Sequence, residues 1–268
     1  MQADSKLFLE TTIQIDRCSS DIDKKEKIDQ VISRFSEISS STYVKMEFKR
    51  RFIQDLVYLY HILIGSENFK DVWFRISKLR SDYHKRKING IIASFCGFFA
   101  DHENEEVHGP LGSELLEKAV RYFRNIIEVA WESFNREVSE VLDETGCYNA
   151  KIGPTRKGEK FDNRTKKCKK EDIKCKIVEF FTRNRKSFKK IYKKLCQLDC
   201  LDDEQEKLKN ILENALKKPR IMADRKNCWN CGDAIIAAES PGDAVLFTTN
   251  IKHFEPICSE IKKKCTSS

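Results

Sequence analysis

The chain has 268 residues, 40% of them hydrophobic and 34% charged, with a formal net charge of +8. No run approaches the ~20 consecutive apolar residues that a bilayer span needs, which excludes a transmembrane protein and any membrane partner. Ten Gly and five Pro exclude collagen-like and linker-dominated chains.

At the N-terminus, Met-Gln-Ala-Asp-Ser-Lys has neither the basic stretch nor the apolar core of an export signal, so a cytoplasmic location is expected. Lys6-Leu7-Phe8-Leu9-Glu10 is a short apolar run ending on an acid, the pattern of a buried strand. Ser39-Ser40-Ser41-Thr42 offers N-caps for a helix through Glu47, Phe52, Leu56, Leu59 and Leu63 that stops at Gly65. Further helices are expected over residues 69–84 and 88–100. A long one should run from Pro110 to about Asp143, with Leu116, Val120, Phe123, Ile127, Ala130 and Phe134 on one stripe. From residue 145 to 170, Gly146, Gly153, Pro154 and Gly158 among dense Lys and Arg predict a basic loop or small irregular module. Helical periodicity resumes over residues 173–195 and 204–216, and Pro219 ends it. Residues 232–240 read as a short apolar helix with an acid near its start. Pro241-Gly242 turns the chain into a second buried strand over residues 244–250.

Two short strands at opposite ends of a helical chain imply one shared sheet, since neither buries its faces alone. The expected fold is therefore α/β: a small parallel-sheet core assembled from the two chain ends, residues 1–65 and 219–268. A large, mostly α-helical insertion, residues 66–218, lies between them. Charge is concentrated in residues 151–194, where 18 Lys and Arg stand against five Asp and Glu. That net of +13 leaves −5 for the remainder of the chain. A basic segment on a mildly acidic body suggests a polyanionic partner, bound by phosphate neutralisation. The alternative is a solvated helix face.

In open parallel α/β sheets, ligands bind beyond the carboxyl ends of the strands. Glu10 ends the first strand and Asn250 the last, Asp233 opens the helix before the last strand, and Glu47 lies on the helix after the first. Oxygen donors of this kind suit Mg²⁺ or Mn²⁺, which can activate water and stabilise charge on a phosphodiester. Each residue also has a structural reading. Glu47 can pair with Lys45, Lys49, Arg50 or Arg51; Asp233 can serve a helix dipole; Asn250 can mark a strand-to-turn junction; His253 can pack or cap.

Residues 232–240 followed by Leu246-Phe-Thr-Thr-Asn-Ile-Lys-His-Phe254 resemble the C-terminal signature of PIN-domain nucleases. In that signature a small apolar helix headed by an acid precedes a strand ending in Thr, one residue, then Asp or Asn. Leu7-Phe-Leu-Glu-Thr11 is similar to the family's opening strand, and Ser41-Thr-Tyr-Val-Lys-Met-Glu47 to its internal segment. The resemblance covers the two chain ends and not the middle. It implies a PIN-like core and a metal-dependent endoribonuclease, often the toxin of a toxin–antitoxin pair. Glu10, Glu47, Asp233 and Asn250 would be catalytic, with Glu10, Asp233 and Asn250 holding Mg²⁺ or Mn²⁺ and Thr11 and Thr249 in support. Glu10 stands where the family has Asp, one methylene shorter, and Asn250 removes one negative charge.

RNA or another single-stranded nucleic acid is the expected partner, held by Lys166, Lys167, Lys169, Lys170, Arg183, Arg185, Lys186, Lys189 and Lys190. An antitoxin or a protein subunit is a further candidate partner. The alternative is a weak or inactive PIN-like scaffold that binds nucleic acid or docks a partner without cutting. Eleven irregularly spaced cysteines read as reduced thiols, with one exception to weigh. Cys228-Trp229-Asn230-Cys231-Gly232 has the spacing of a structural zinc knuckle, for which Cys147, Cys168, Cys175, Cys196 and Cys200 are candidate partners. No Gly-rich phosphate loop, Gly-x-Ser-x-Gly elbow or His-Glu-x-x-His occurs, which excludes P-loop ATPases, α/β-hydrolases and zincins.

Overall fold

A computed structural model of the chain describes residues 6–19, 22–102, 113–136, 138–163, 165, 168 and 175–267; for residues 83, 96–102 and 113 it describes the backbone. The apolar run predicted at the N-terminus is strand β1 (Lys6–Leu9), followed by helices α1 (Thr11–Ser19) and α2 (Ile22–Ile32). Strand β2 (Glu37–Ser41) comes next. Its serines, read in the sequence as caps, also serve the sheet: the Ser39 and Ser40 hydroxyls donate to the Leu7 and Leu9 carbonyls at 3.2 and 3.0 Å. Ser41 is both the last strand residue and the N-cap of α3 (Thr42–Phe48), accepting the Val44 amide at 3.1 Å. A π-helical turn, Lys49–Ile53, joins α3 to α4 (Gln54–Ile64), and Gly65 caps it as expected.

The predicted helix over residues 69–84 divides into α5 (Phe69–Ser77) and the start of α6 (Asp82–His102). Helix α7 (Ser113–Ser133) carries the expected apolar stripe but ends ten residues early. The Asn135 and Arg136 amides fold back on Glu132 and Ser133, and the Ser139 amide then donates to Ile38 at 2.7 Å. This captures β3 (Glu140–Leu142) as a strand rather than a helix end. A small hairpin follows, β4 (Thr155–Lys157) with β5 (Lys160–Asp162). Helix α8 (Ile177–Arg183) is separated from α9 (Arg185–Cys196) at Asn184, whose side chain donates to the Phe180 carbonyl at 3.1 Å and stops the turn. Then come α10 (Asp203–Lys217), α11 (Arg225–Asn230), α12 (Gly232–Glu239), β6 (Ala244–Phe247), α13 (Ile251–Glu260) and β7 (Lys264–Thr266).

The sheet has five strands in the order β3-β2-β1-β6-β7, every pairing parallel. The two strands expected to meet do so, with Lys6 opposite Ala244 and Leu9 opposite Phe247. Alternation along them feeds two layers. Leu7, Leu9, Val245 and Phe247 pack with Ile13, Ile28 and Ile32 on one face. Phe8 and Leu246 face a larger core shared by α3, α4, α7, α9, α10 and α12. The chain is therefore α/β, with a five-stranded parallel sheet covered on both faces by helices. Residues 66–218 are not set apart from this core: they contribute its edge strand β3, and Phe123, Phe134 and Phe188 join the same buried cluster as Phe8 and Ile235. Among the described residues no helix is long and apolar enough to cross a membrane.

Candidate functional site

Glu10 follows β1 directly and extends its ladder, its amide donating to the Phe247 carbonyl at 3.1 Å. The carboxylate is buried. One oxygen, Oε2, accepts three bonds: from the Thr12 amide at 2.8 Å, the Thr12 hydroxyl at 2.5 Å and the Thr248 hydroxyl at 3.1 Å. Burial pushes its pKa up to about 7; the Thr12 bonds oppose that shift, while the neighbouring Asp233 and Glu47 charges add to it.

Glu47, on the buried face of α3, accepts the Thr11 hydroxyl on Oε2 at 3.0 Å and Arg50 on Oε1 at 3.2 Å, with Arg51 at 3.8 Å. The structural reading of Glu47 is thus half realised. Arg50 and Arg51 pair with it, whereas Lys49 donates to the Ile152 carbonyl and Lys45 to Asn135. A Cβ at Gly232 would lie 2.6 Å from Glu47 Oε1, so a larger residue there would displace the carboxylate that the start of α12 approaches.

That approach places Asp233, in the first turn of α12, beside the pair. Asp233 Oδ2 meets His253 Nδ1 at 3.0 Å, and His253 Nε2 meets Asp202 Oδ2 at 2.8 Å. The two carboxylates, Asp233 foremost, raise the His253 pKa to about 9, so the imidazolium bridges them. Asp202 caps α10 through the Gln205 amide, which together with His253 lowers its pKa to about 2. His253 therefore holds two acids in place, a role beyond packing or capping. Asp202, 51 residues away, carried no sequence signal of its own.

Asn250 caps α13 without a side-chain bond, and its amide donates to the Thr248 hydroxyl at 2.9 Å. Of the supporting threonines expected, Thr11 touches Glu47 directly. At the other end of the chain the hydroxyl that reaches Glu10 belongs to Thr248, while Thr249 contributes its amide to Thr12 at 3.1 Å. Thr12 and Thr248 thus lace the loops after β1 and β6 together through one carboxylate oxygen. Asp233 and His253 line a cleft of about 280 Å³ together with Arg50, Arg51, Lys207 and Trp229. Arg51 feels Glu47, Asp233 and Glu10 together, which holds its guanidinium firmly charged. Arg50 and Arg225 lie 4.6 and 4.8 Å from the centre of the Trp229 ring.

For Mg²⁺ or Mn²⁺, the hard-oxygen chemistry of Glu10, Asp233 and Asn250 fits; burial is the main reason the Glu10 pKa is raised, and the smaller part due to the Asp233 and Glu47 charges is what a divalent ion would relieve. Glu47 does not offer itself in the same way, since Thr11 and the two arginines occupy its oxygens. Among the described residues no three His, Cys, Asp or Glu side chains stand as a ready-made cation cage.

Of the basic residues, Lys166, Lys167, Lys169 and Lys170 lie outside the described residues. Arg185, Lys186, Lys189 and Lys190 are exposed along α9, whose other face buries Phe188, Ile191 and Leu195. Arg183, also exposed, pairs with Glu144. Phe180, Phe181 and Phe188 are core, Phe181 stacked on Phe188 at 4.4 Å, so charge alone faces outward. Helix α9 packs on α12 and α13, beside the cleft. Cys228 Sγ reaches the Tyr43 hydroxyl at 3.9 Å, and Cys231 is fully buried in the main core. No family model, curated protein or solved structure matches the chain.

Proposed function

We propose that the chain is a PIN-like, metal-dependent nuclease that cuts a single-stranded nucleic acid, RNA foremost, in the cleft lined by Asp233. One observation carries this reading. Three carboxylates from distant parts of the chain gather at the carboxyl ends of adjacent parallel strands, one of them with a pKa near 7. Glu10 and Asp233, with the Asn250 amide, are the groups that would hold Mg²⁺ or Mn²⁺, whose chemistry there is activation of water and stabilisation of phosphodiester charge. The protein's own groups do the rest. Arg50, Arg51 and Lys207 draw the phosphate backbone into the cleft, and the exposed cations of α9 extend that path. The His253 imidazolium fixes Asp233 through Oδ2 and leaves Oδ1 for the cleft. Thr12 and Thr248 fix Glu10 through Oε2 in the same way.

The test is incubation of labelled single-stranded RNA with Mn²⁺ or Mg²⁺, and with EDTA, beside Asp233→Ala. Metal-dependent cleavage that falls about 100-fold or more in the variant is the expected result. A second reading, a binding scaffold without catalysis, is favoured by the pairing of Glu47 with Arg50 and Arg51, which supplies fixed positive charge where a cation would act. Binding without cleavage, unchanged by Asp233→Ala, would establish it.

A further inference from the structure

Cysteines from three separate segments collect behind the cleft. The Lys176 amide donates to the Thr145 carbonyl at 2.9 Å, which sets Cys175 alongside Cys147. Asn149, two residues beyond Cys147, donates through Nδ2 to Cys168 Sγ at 3.9 Å. Cys168 in turn lies within electrostatic reach of Asp224 and Arg225, the cap and first residue of α11, and Cys228 is one turn further along that helix. The thiols of Cys147 and Cys175 both act on Cys228, and those of Cys175 and Cys168 both act on Cys147.

Backbone donors meet two of these sulfurs. The amides of Asn149 and Ala150, second and third after Cys147, donate to its sulfur, and the Ile177 amide, second after Cys175, donates to that sulfur. The surrounding chain is also held firmly. Lys49 Nζ donates to the Ile152 carbonyl at 2.7 Å, the Phe161 amide donates to His61 at 3.2 Å, and Gly153 lies beneath the Trp131 ring with no room for a Cβ. Partly buried thiols that stand near one another beside polar groups are a poor hydrophobic cluster and a good set of soft ligands.

We propose that Cys147, Cys168, Cys175 and Cys228 form a tetrathiolate site for Zn²⁺ that fastens the irregular basic segment to α11. Loading replaces four S–H protons by four Zn–S bonds and leaves a complex of charge −2, which Arg225 beside Cys168 and the three amides face. The sulfurs do not yet stand as a closed cage among the described residues; Cys168 rests on Asn149 and Cys228 on Tyr43, and both contacts are exchanged for metal. The ligand set differs from the Cys228–Cys231 knuckle expected from the sequence, because Cys231 faces the core and feels burial alone. The site stands independently of the nuclease reading.

The chain purified from zinc-supplemented medium should carry one zinc by elemental analysis. Exchanged with Co²⁺, it should show the sulfur-to-metal charge-transfer and d–d bands of a tetrahedral tetrathiolate. Cys168→Ser and Cys175→Ser should each weaken zinc binding about tenfold or more, whereas Cys196→Ser and Cys200→Ser, at exposed positions, should not. The cobalt spectrum of the unaltered chain decides the matter even where a variant fails to fold. A chain that takes up neither metal overturns the proposal. So does zinc lost in Cys231→Ser but retained in Cys175→Ser.

Discussion

Glu10 and Glu47 are nearly equal in burial, 3% and 1% exposed, and opposite in treatment. Glu10 is surrounded by neutral donors, two threonine hydroxyls and an amide, which orient it without supplying a countercharge. Glu47 has one hydroxyl and two guanidinium groups against it. The difference is physical and consequential. A carboxylate held by neutral groups in a dry place sits near its own titration point and can exchange its proton for a cation. One held by arginines already has its countercharge in the protein.

Glu47→Gln tests this comparison with the largest effect. Removing the charge leaves Arg50 and Arg51 without their partner, and urea unfolding at neutral pH should show a loss of about 3 kcal/mol. That is the low end of the range for buried pairs, because both arginines also reach solvent. Glu10→Gln should lose no stability under the same conditions, because it removes a charge that burial penalises. Equal losses at the two positions would erase the distinction.

A pH titration of stability sharpens it. The folded pKa of Glu10 is about 7 against an ordinary 4.5, so between those values the folded chain binds the extra proton and its stability falls as pH rises. Glu10→Gln should remove roughly 3 kcal/mol of that decline. His253 contributes with the other edge: its folded pKa of about 9 exceeds the ordinary 6.5. Its stabilisation is complete below 6.5 and lost as pH climbs through 9. His253→Gln should therefore cost about 1–2 kcal/mol at pH 6 and little at pH 10. A pH-independent difference between wild type and either variant would remove the linkage.

The smallest effect belongs to α9. Lys189→Ala with Lys190→Ala should weaken single-stranded RNA binding without altering cleavage per bound strand. The slope of log affinity against log salt should fall by about 0.7 for each charge removed. An unchanged slope would make that face a solvated surface.

What the sequence disclosed follows from which forces are local. The runs at residues 6–9 and 244–247 are apolar on both faces, so their burial in a parallel sheet was legible, and the acids at their ends followed from topology. Strand β2 was hidden because serine favours caps and turns; only the carbonyls of β1 satisfy Ser39 and Ser40 there. Strands β3 and β7 hold three residues each, too short for any periodicity to declare them. The helix boundaries missed at Asn184 and Ser133 depend on one side chain or one captured amide. In the site, Glu10, Asp233 and Thr11 could be named from motif order. Thr248, Thr12 and Asp202 act across long sequence separations, and no spacing rule connects His253 to Asp202.

Strand β1 lies at the middle of the sheet, between β2 and β6, although it is the first strand made. Its partner on one side becomes available only when residues 244–247 have been synthesised, and Thr248 arrives later still to fix Glu10. While the chain is being translated, Leu7 and Leu9 therefore wait with half their pairing unmet. A chain cut short between Glu47 and Gly232 would carry Glu10 and Glu47 but not Asp233 to complete the cluster. The acid crevice is a late product of synthesis, assembled when the last strands close the sheet, so truncated products lack it altogether.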